Sequence, residues 1–241
     1  MKQIFDSLKK QSPSRIIALG FSAVILVGAV LLMMPFSLKK GVHLSFLNAL
    51  FTSTSAVCVT GLVVVDTADS FTAIGQAIVA ALIQIGGLGI ASVGVGFIIA
   101  AGKRVSIKSR LMVKEALNVD TYHGMVRLVR IVLAITLGFE AAGAIISFFV
   151  FRKDYSPLHA VGISIFHSIA AFNNAGFDNL GGMHNLIPYK DNILLNITTD
   201  VLVIVGGIGF LVLVDIVKQK SFKKLCLHFK VAISMIAVLL I

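Results

Sequence analysis

The sequence predicts an all-α integral membrane protein built from two parallel helix–pore-helix–helix repeats and the start of a third. Three observations lead there. Of 241 residues, 57% are hydrophobic and 13% charged, with a mean hydropathy of +0.97, far from the make-up of a soluble domain. The pattern Phe-x-Ser-x-x-Ala-x-x-x-x-Gly occurs twice, as Phe51, Ser53, Ala56, Gly61 and as Phe166, Ser168, Ala171, Gly176, offset by 115 residues. Each copy is followed by Gly-Gly-x-Gly in an apolar run, at 86–89 and 206–209, offset by 120. A repeat fixes the unit of architecture. The five-residue difference between the offsets is a loop insertion.

The elements follow in chain order. Residues 16–34 form an apolar run of the roughly 20 residues that cross a bilayer. Ser12-Pro13-Ser14 marks its start, since proline is tolerated in a first turn. The run is too long for a signal-peptide core, and Pro35-Phe36-Ser37 follows it instead of a cleavage site. Residues 44–57 are apolar but too short to span, so they are expected to dip in from the outside, with 58–62 returning extended. Residues 71–101 run inward as a tilted or kinked span. The second repeat has the same order: a span over 125–151, a dip over 158–171, an extended return over 172–177 and an inward span over 192–217. The chain thus divides into a first pore repeat (1–101, filter 57–62), a cytoplasmic linker (102–124), a second pore repeat (125–217, filter 172–177) and a terminal piece (218–241). Within that piece the apolar run 231–241 is too short to span. It reads as the beginning of a third repeat, which makes the chain an N-terminal fragment of a longer protein.

Charge gives the orientation. With the N-terminus cytoplasmic, the inner segments hold sixteen of the 21 basic residues and the outer segments five. That is the positive-inside pattern, expected for a multi-pass protein of the cell membrane. The net charge of +10 is accounted for by residues flanking spans, so the partners it implies are anionic membrane lipids and not nucleic acid. Both repeats enter and leave on the inside. They are parallel, which favours units arranged around an axis along the membrane normal over an inverted-repeat transporter.

A cation crossing a narrow filter exchanges water for backbone carbonyls. Irregular backbone at membrane depth is tolerated where it lines a cavity, and glycine gives it the freedom to turn. The candidate filter residues are Val57, Cys58, Val59, Thr60 and Gly61, then Phe172, Asn173, Asn174, Ala175 and Gly176. Asn173 and Asn174 carry amides able to brace the loop from behind. Helix packing is the usual reason for a membrane glycine, but Gly61 and Gly176 recur with matched Phe, Ser and Ala. For the two Gly-Gly-x-Gly motifs, packing or kinking is the leading reading. Asp66 and Asp178 follow the filters; they either concentrate cations at the outer mouth or are solvated loop acids. Glu140 and Asp200 lie within spans, where a carboxylate costs about 3 kcal/mol and needs a role. Glu140 either braces the filter loop or bonds a neighbouring helix; Asp200 lies near the outer end of its span. His159 and His167 read as polar packing residues. Cys58 and Cys226 fall on different segments, and the histidines lack metal-ligand spacing, so no disulfide, metal cofactor or enzymatic centre is expected.

The stretches Thr54–Leu62 and Ala171–Phe177, with the Gly-Gly-x-Gly inner helices, resemble the Trk/Ktr/HKT potassium transporter superfamily, and within it the bacterial Ktr-type membrane subunit. The resemblance implies four potassium-channel-like hairpins around one pore, each with one filter glycine. Gly61 and Gly176 match the first two. It further implies uptake of K+ held by filter carbonyls, often Na+-dependent and driven by the membrane potential. The implied partners are a second copy, forming a homodimer, and a cytosolic nucleotide-binding (RCK/KtrA-like) regulatory subunit. Two other readings are a coupled secondary transporter with broken helices and a non-transporting membrane scaffold.

Overall fold

A computed structural model describes residues 12–117, 124–210, 212–213, 231 and 234–235. The expected basic loop 218–230, Cys226 and most of the expected third-repeat start lie outside the described residues. Among the described residues the chain is helical, without a strand. One isolated antiparallel bridge joins Leu38 and Phe71.

Helix α1 (Pro13–Met33) starts as expected, with Ser12 extended and Pro13 in the first turn. It ends where Pro35 forces Met34 out of the helical region, at φ −67° and ψ 145°. Helix α2 (Phe46–Cys58) is capped by the Ser45 hydroxyl, which accepts from the Asn48 N–H. A single turn, α3 (Thr67–Ser70), is capped by Asp66. Helix α4 (Ala73–Leu88) begins at Thr72, whose hydroxyl accepts from the Gly75 N–H and donates to the Phe36 carbonyl at 2.6 Å.

The run over 71–101, expected as a tilted or kinked span, is sharply broken. At Gly89 (φ +76°) the chain turns by 104° into α5 (Ile90–Ala100). Helix α6 (Ile107–Ala116) lies in the linker, and its Glu115 accepts a hydrogen bond from Ser14 at the start of α1. Helix α7 (Met125–Phe151) matches the expected span. Helix α8 (Pro157–Phe172) follows after a short turn, and α9 (Ile193–Gly207) starts on an Asn192 cap. Beyond α9, Gly209 again has a left-handed φ of +95°. Glycine supplies the break in both inner runs because no other residue takes those angles without strain.

By length and composition α1 and α7 are able to cross a membrane, and the bent pair α4–α5 is a third if taken as one span. α2, α8 and α9 are apolar but shorter. α2 packs between α1 and α4, α8 between α7 and α9, and α4 also meets α8. One core therefore joins Leu32, Ala56, Val79 and Ile83 to Phe166, Ala170 and Phe177.

The same contacts recur at the repeat offsets. The Ser53 hydroxyl donates to the Ile25 carbonyl at 2.7 Å, and the Ser168 hydroxyl to the Glu140 carbonyl at 2.7 Å. A Cβ on Gly28 would strike Ser53 and Leu82; one on Gly143 would strike Ser168 and Leu202. The serine of the repeated motif thus ties each short helix to the long helix before it, through a gap left by a glycine.

Candidate functional site

The site is formed where α2 and α8 end. Val57 lies in the last turn of α2, Cys58 is its final residue with an exposed thiol, and Phe172 is the final residue of α8. Each helix then closes with a left-handed residue, Val59 at φ +55° and Asn174 at φ +56°. Thr60 N–H donates back to the Ser55 carbonyl at 3.0 Å, and Ala175 N–H to the Ala170 carbonyl at 2.8 Å, which is a Schellman ending. A β-branched valine is an outlier in this region, and such strain gathers at functional segments. In the first loop the Thr60 and Ser55 hydroxyls add a 2.9 Å bond.

Gly61 and Gly176 follow at φ +71° and +68° and meet each other. A Cβ on Gly61 would lie 2.9 Å from the Ala175 carbonyl oxygen and 3.1 Å from the Gly176 Cα. Outside them a cavity of about 150 Å³ is lined by both glycines together with Val63, Asp66, Asp178 and Asn185.

The Gly-Gly-x-Gly motifs support these loops from behind. A Cβ on Gly86 would fall onto the Val57 carbonyl, and one on Gly206 onto the Phe172 carbonyl. Packing therefore accounts for the first glycine of each motif and the chain break for the last. A Cβ on Gly87 would strike the Asn173 side chain of the second loop.

The polar residues sort out as follows. The Asn173 amide, buried, donates to the Gln84 Oε1 at 3.1 Å, the Glu140 Oε1 at 3.2 Å and the Ile169 carbonyl at 2.9 Å. Glu140 reaches the loop residue with its side chain, while its main-chain carbonyl holds Ser168. Asn174 donates to the Phe172 and Val203 carbonyls. His167 pairs with Thr199 at 3.1 Å, and His159 stands edge-on to Tyr155. Asp200 is exposed, eight residues along α9 from its Asn192 cap.

Asp66 is neither free nor merely solvated. Its two oxygens accept from the Asp69 and Met183 N–H groups at 2.8 Å each, while Asp69 accepts from the Gly182 N–H at 3.0 Å. These bonds strap the loop after the first glycine to the loop after the second. Asp178 is half-buried, and its Oδ1 accepts from the Leu180 N–H. Burial raises its pKa, the Leu180 bond opposes that, and the nearby Asp66 charge raises it further. Replacing Asp66 and Asp69 together by alanine is expected to cost about 2 kcal/mol, the range for losing three partly exposed charge-assisted bonds. The check is the thermal midpoint of the purified protein in detergent; an unchanged midpoint would show that the strap contributes nothing.

The sequence reading missed Gln84, Gly28 and Gly143. Gly28 and Gly143 carry a signal, the same 115-residue offset as the motif. Gln84 carries a subtler one: it is polar where its repeat partner, Ile204, is apolar.

Apolar helices long enough to cross a bilayer, with irregular glycine loops held between them, are the make-up of an integral membrane protein. Residues 8–239 match the TrkH family of cation transport proteins, and the chain belongs to that family. It is 40% identical over 233 residues to the potassium/sodium uptake protein NtpJ of Enterococcus hirae, covering 97% of this chain and 51% of that protein. It is 41% identical over 223 residues to the Ktr system potassium uptake protein B of Bacillus subtilis (92% and 49%). To the protein of the same name from Vibrio alginolyticus it is 36% identical over 228 residues (94% and 49%). The chain spans about half the length of the curated relatives it matches.

Proposed function

We propose that this chain contributes two selectivity-filter segments to a potassium-uptake pore. The observation that carries the reading is the meeting of Gly61 and Gly176, each at a left-handed φ after a short helix with the same ending. Such turns set successive carbonyls toward a common point, where they replace the hydration shell of a monovalent cation. The names of the relatives, potassium uptake and potassium/sodium uptake, point to K+ as the ion and to Na+ as its companion. In this reading the two units, 1–101 and 125–217, are parallel pore repeats separated by the linker 102–124. The N-terminus is cytoplasmic in a multi-pass cell-membrane protein, and an inside-negative potential drives uptake at about 2.3 kcal/mol per charge per 100 mV. The term "Ktr system" favours further components. Homodimerisation and a cytosolic nucleotide-binding subunit complete the proposal.

The 104° break at Gly89 favours a second reading, a coupled transporter with broken helices. One experiment tests both. A strain lacking potassium uptake, supplied with the complete gene, is expected to regain growth at low K+ and to accumulate Rb+ with the membrane potential. Movement of a second ion with Rb+ in a fixed ratio at fixed potential would favour the coupled transporter, and no restored uptake would reject both.

A further inference from the structure

The two units share their motif residues at fixed offsets, so positions where a polar residue of one faces an apolar or small residue of the other can be paired. Three differences converge on one point. Asn173 corresponds to Cys58, Glu140 to Ile25 and Gln84 to Ile204. In each pair one partner carries an amide or carboxyl where the other carries none. Polar side chains are costly within membrane helices unless they meet partners, and these three meet one another. The Asn173 Nδ2 stands 3.1 Å from the Gln84 oxygen and 3.2 Å from the Glu140 oxygen. Glu140 is 6% exposed and Asn173 9% exposed.

The three side chains come from three different elements. Gln84 lies on α4 of the first unit, Glu140 on α7 of the second, and Asn173 directly after α8 at the base of the second glycine loop. Gly87, one turn beyond Gln84, leaves the space that the Asn173 side chain fills. The Gln84 Nε2 is buried on the side of the Glu140 carboxylate, while the Gln84 oxygen takes the Asn173 N–H.

We propose that Gln84 is a positioning residue for the second glycine loop: reaching from the first unit, it shares the Asn173 amide with Glu140 and so sets the loop's placement relative to the first unit. The inference rests on the reading of the Gly176 loop as a filter. It deepens that reading by making ion discrimination in one repeat depend on a residue of the other. Gln84 itself touches no ion.

The test measures relative Na+ and Rb+ uptake in cells carrying the complete gene, with melting of the purified protein in parallel. Gln84→Met keeps the volume and removes the acceptor. It is expected to raise Na+ relative to Rb+ uptake by about threefold to tenfold, the range for losing one interhelical membrane hydrogen bond. Gln84→Asn retains an amide but withdraws it by one methylene, and it should shift the ratio in the same direction if the methionine variant does not assemble. In an Asn173→Leu background, Gln84→Met should add nothing further, because the residue acts through Asn173. An unchanged ratio in both Gln84 variants, with Gly176→Ser altering it, overturns the positioning role and leaves the filter reading intact. An unchanged ratio in Gly176→Ser as well removes the filter reading, and this inference with it.

Discussion

Serine in place of Gly61 is expected to lower discrimination of K+ against Na+ by about tenfold or more, or to abolish uptake, while the protein still reaches the membrane. The backbone at Gly61 has φ +71°, where an L-residue pays roughly 1–2 kcal/mol. The new Cβ would also lie 2.9 Å from the Ala175 oxygen and 3.1 Å from the Gly176 Cα. Both contacts are to backbone, so no rotamer change relieves them. Either the Gly61 peptide rotates, moving its carbonyl, or the two loops separate. Each outcome alters the distances that replace an ion's hydration shell. Since about 1.4 kcal/mol is a factor of ten, strain of this size is sufficient. Competition of Na+ with Rb+ uptake is the measurement. Wild-type discrimination in the variant would refute the filter assignment.

Alanine at Gly206 or Gly86 is expected to be more damaging to the fold than to selectivity. In each case the added methyl falls onto a carbonyl of the adjoining short helix, Phe172 or Val57. Overpacking of this kind costs about 1–3 kcal/mol even when side chains can yield, and here a main-chain group would have to move. The predicted result is a sharp loss of folded, monodisperse protein after detergent extraction. Gly138→Ala and Gly162→Ala supply the contrast. Both lie in helices, with nothing among the described residues within 4 Å of the added carbon. They should be neutral or stabilising by about 0.5–1 kcal/mol. If all four variants extract alike, the support given by the Gly-Gly-x-Gly motifs is not structural.

Much of this was legible in the residues. Hydropathy marked α1 and α7 to within a few positions because each is bounded by turn signals, Ser12-Pro13 and Pro35 for α1, Gly124 and Ser156-Pro157 around α7. The repeated motif singled out Gly61 and Gly176, and these are the two loop glycines that meet at left-handed φ. The inner run 71–101 was harder. The Gly-Gly-x-Gly motif allowed a kink, but apolar periodicity is continuous through Gly89, and the size of the turn, 104°, is legible only in the backbone. The roles of Asp66 and Asp69 were hidden for another reason. Their partners are N–H groups of Met183 and Gly182, and a main-chain donor leaves no trace in side-chain identity. Glu140 stood between two readings because its carboxyl and its carbonyl serve different neighbours, which one letter of sequence cannot separate.

The strap from Asp66 to Met183 joins residues 117 positions apart. At synthesis rates of about 5–20 residues per second, the first loop therefore waits some 6–23 s for its partner to emerge. During that interval Gly61 and the Asp66 carboxylate are at the membrane without the backbone groups that later cover them. Native pairing of these loops cannot be an early, local event of biogenesis. The newborn first unit must be sheltered, by lipid headgroups, water or the insertion machinery, until the second arrives. Slowing translation between the two units should lengthen the exposure of the first loop to proteases.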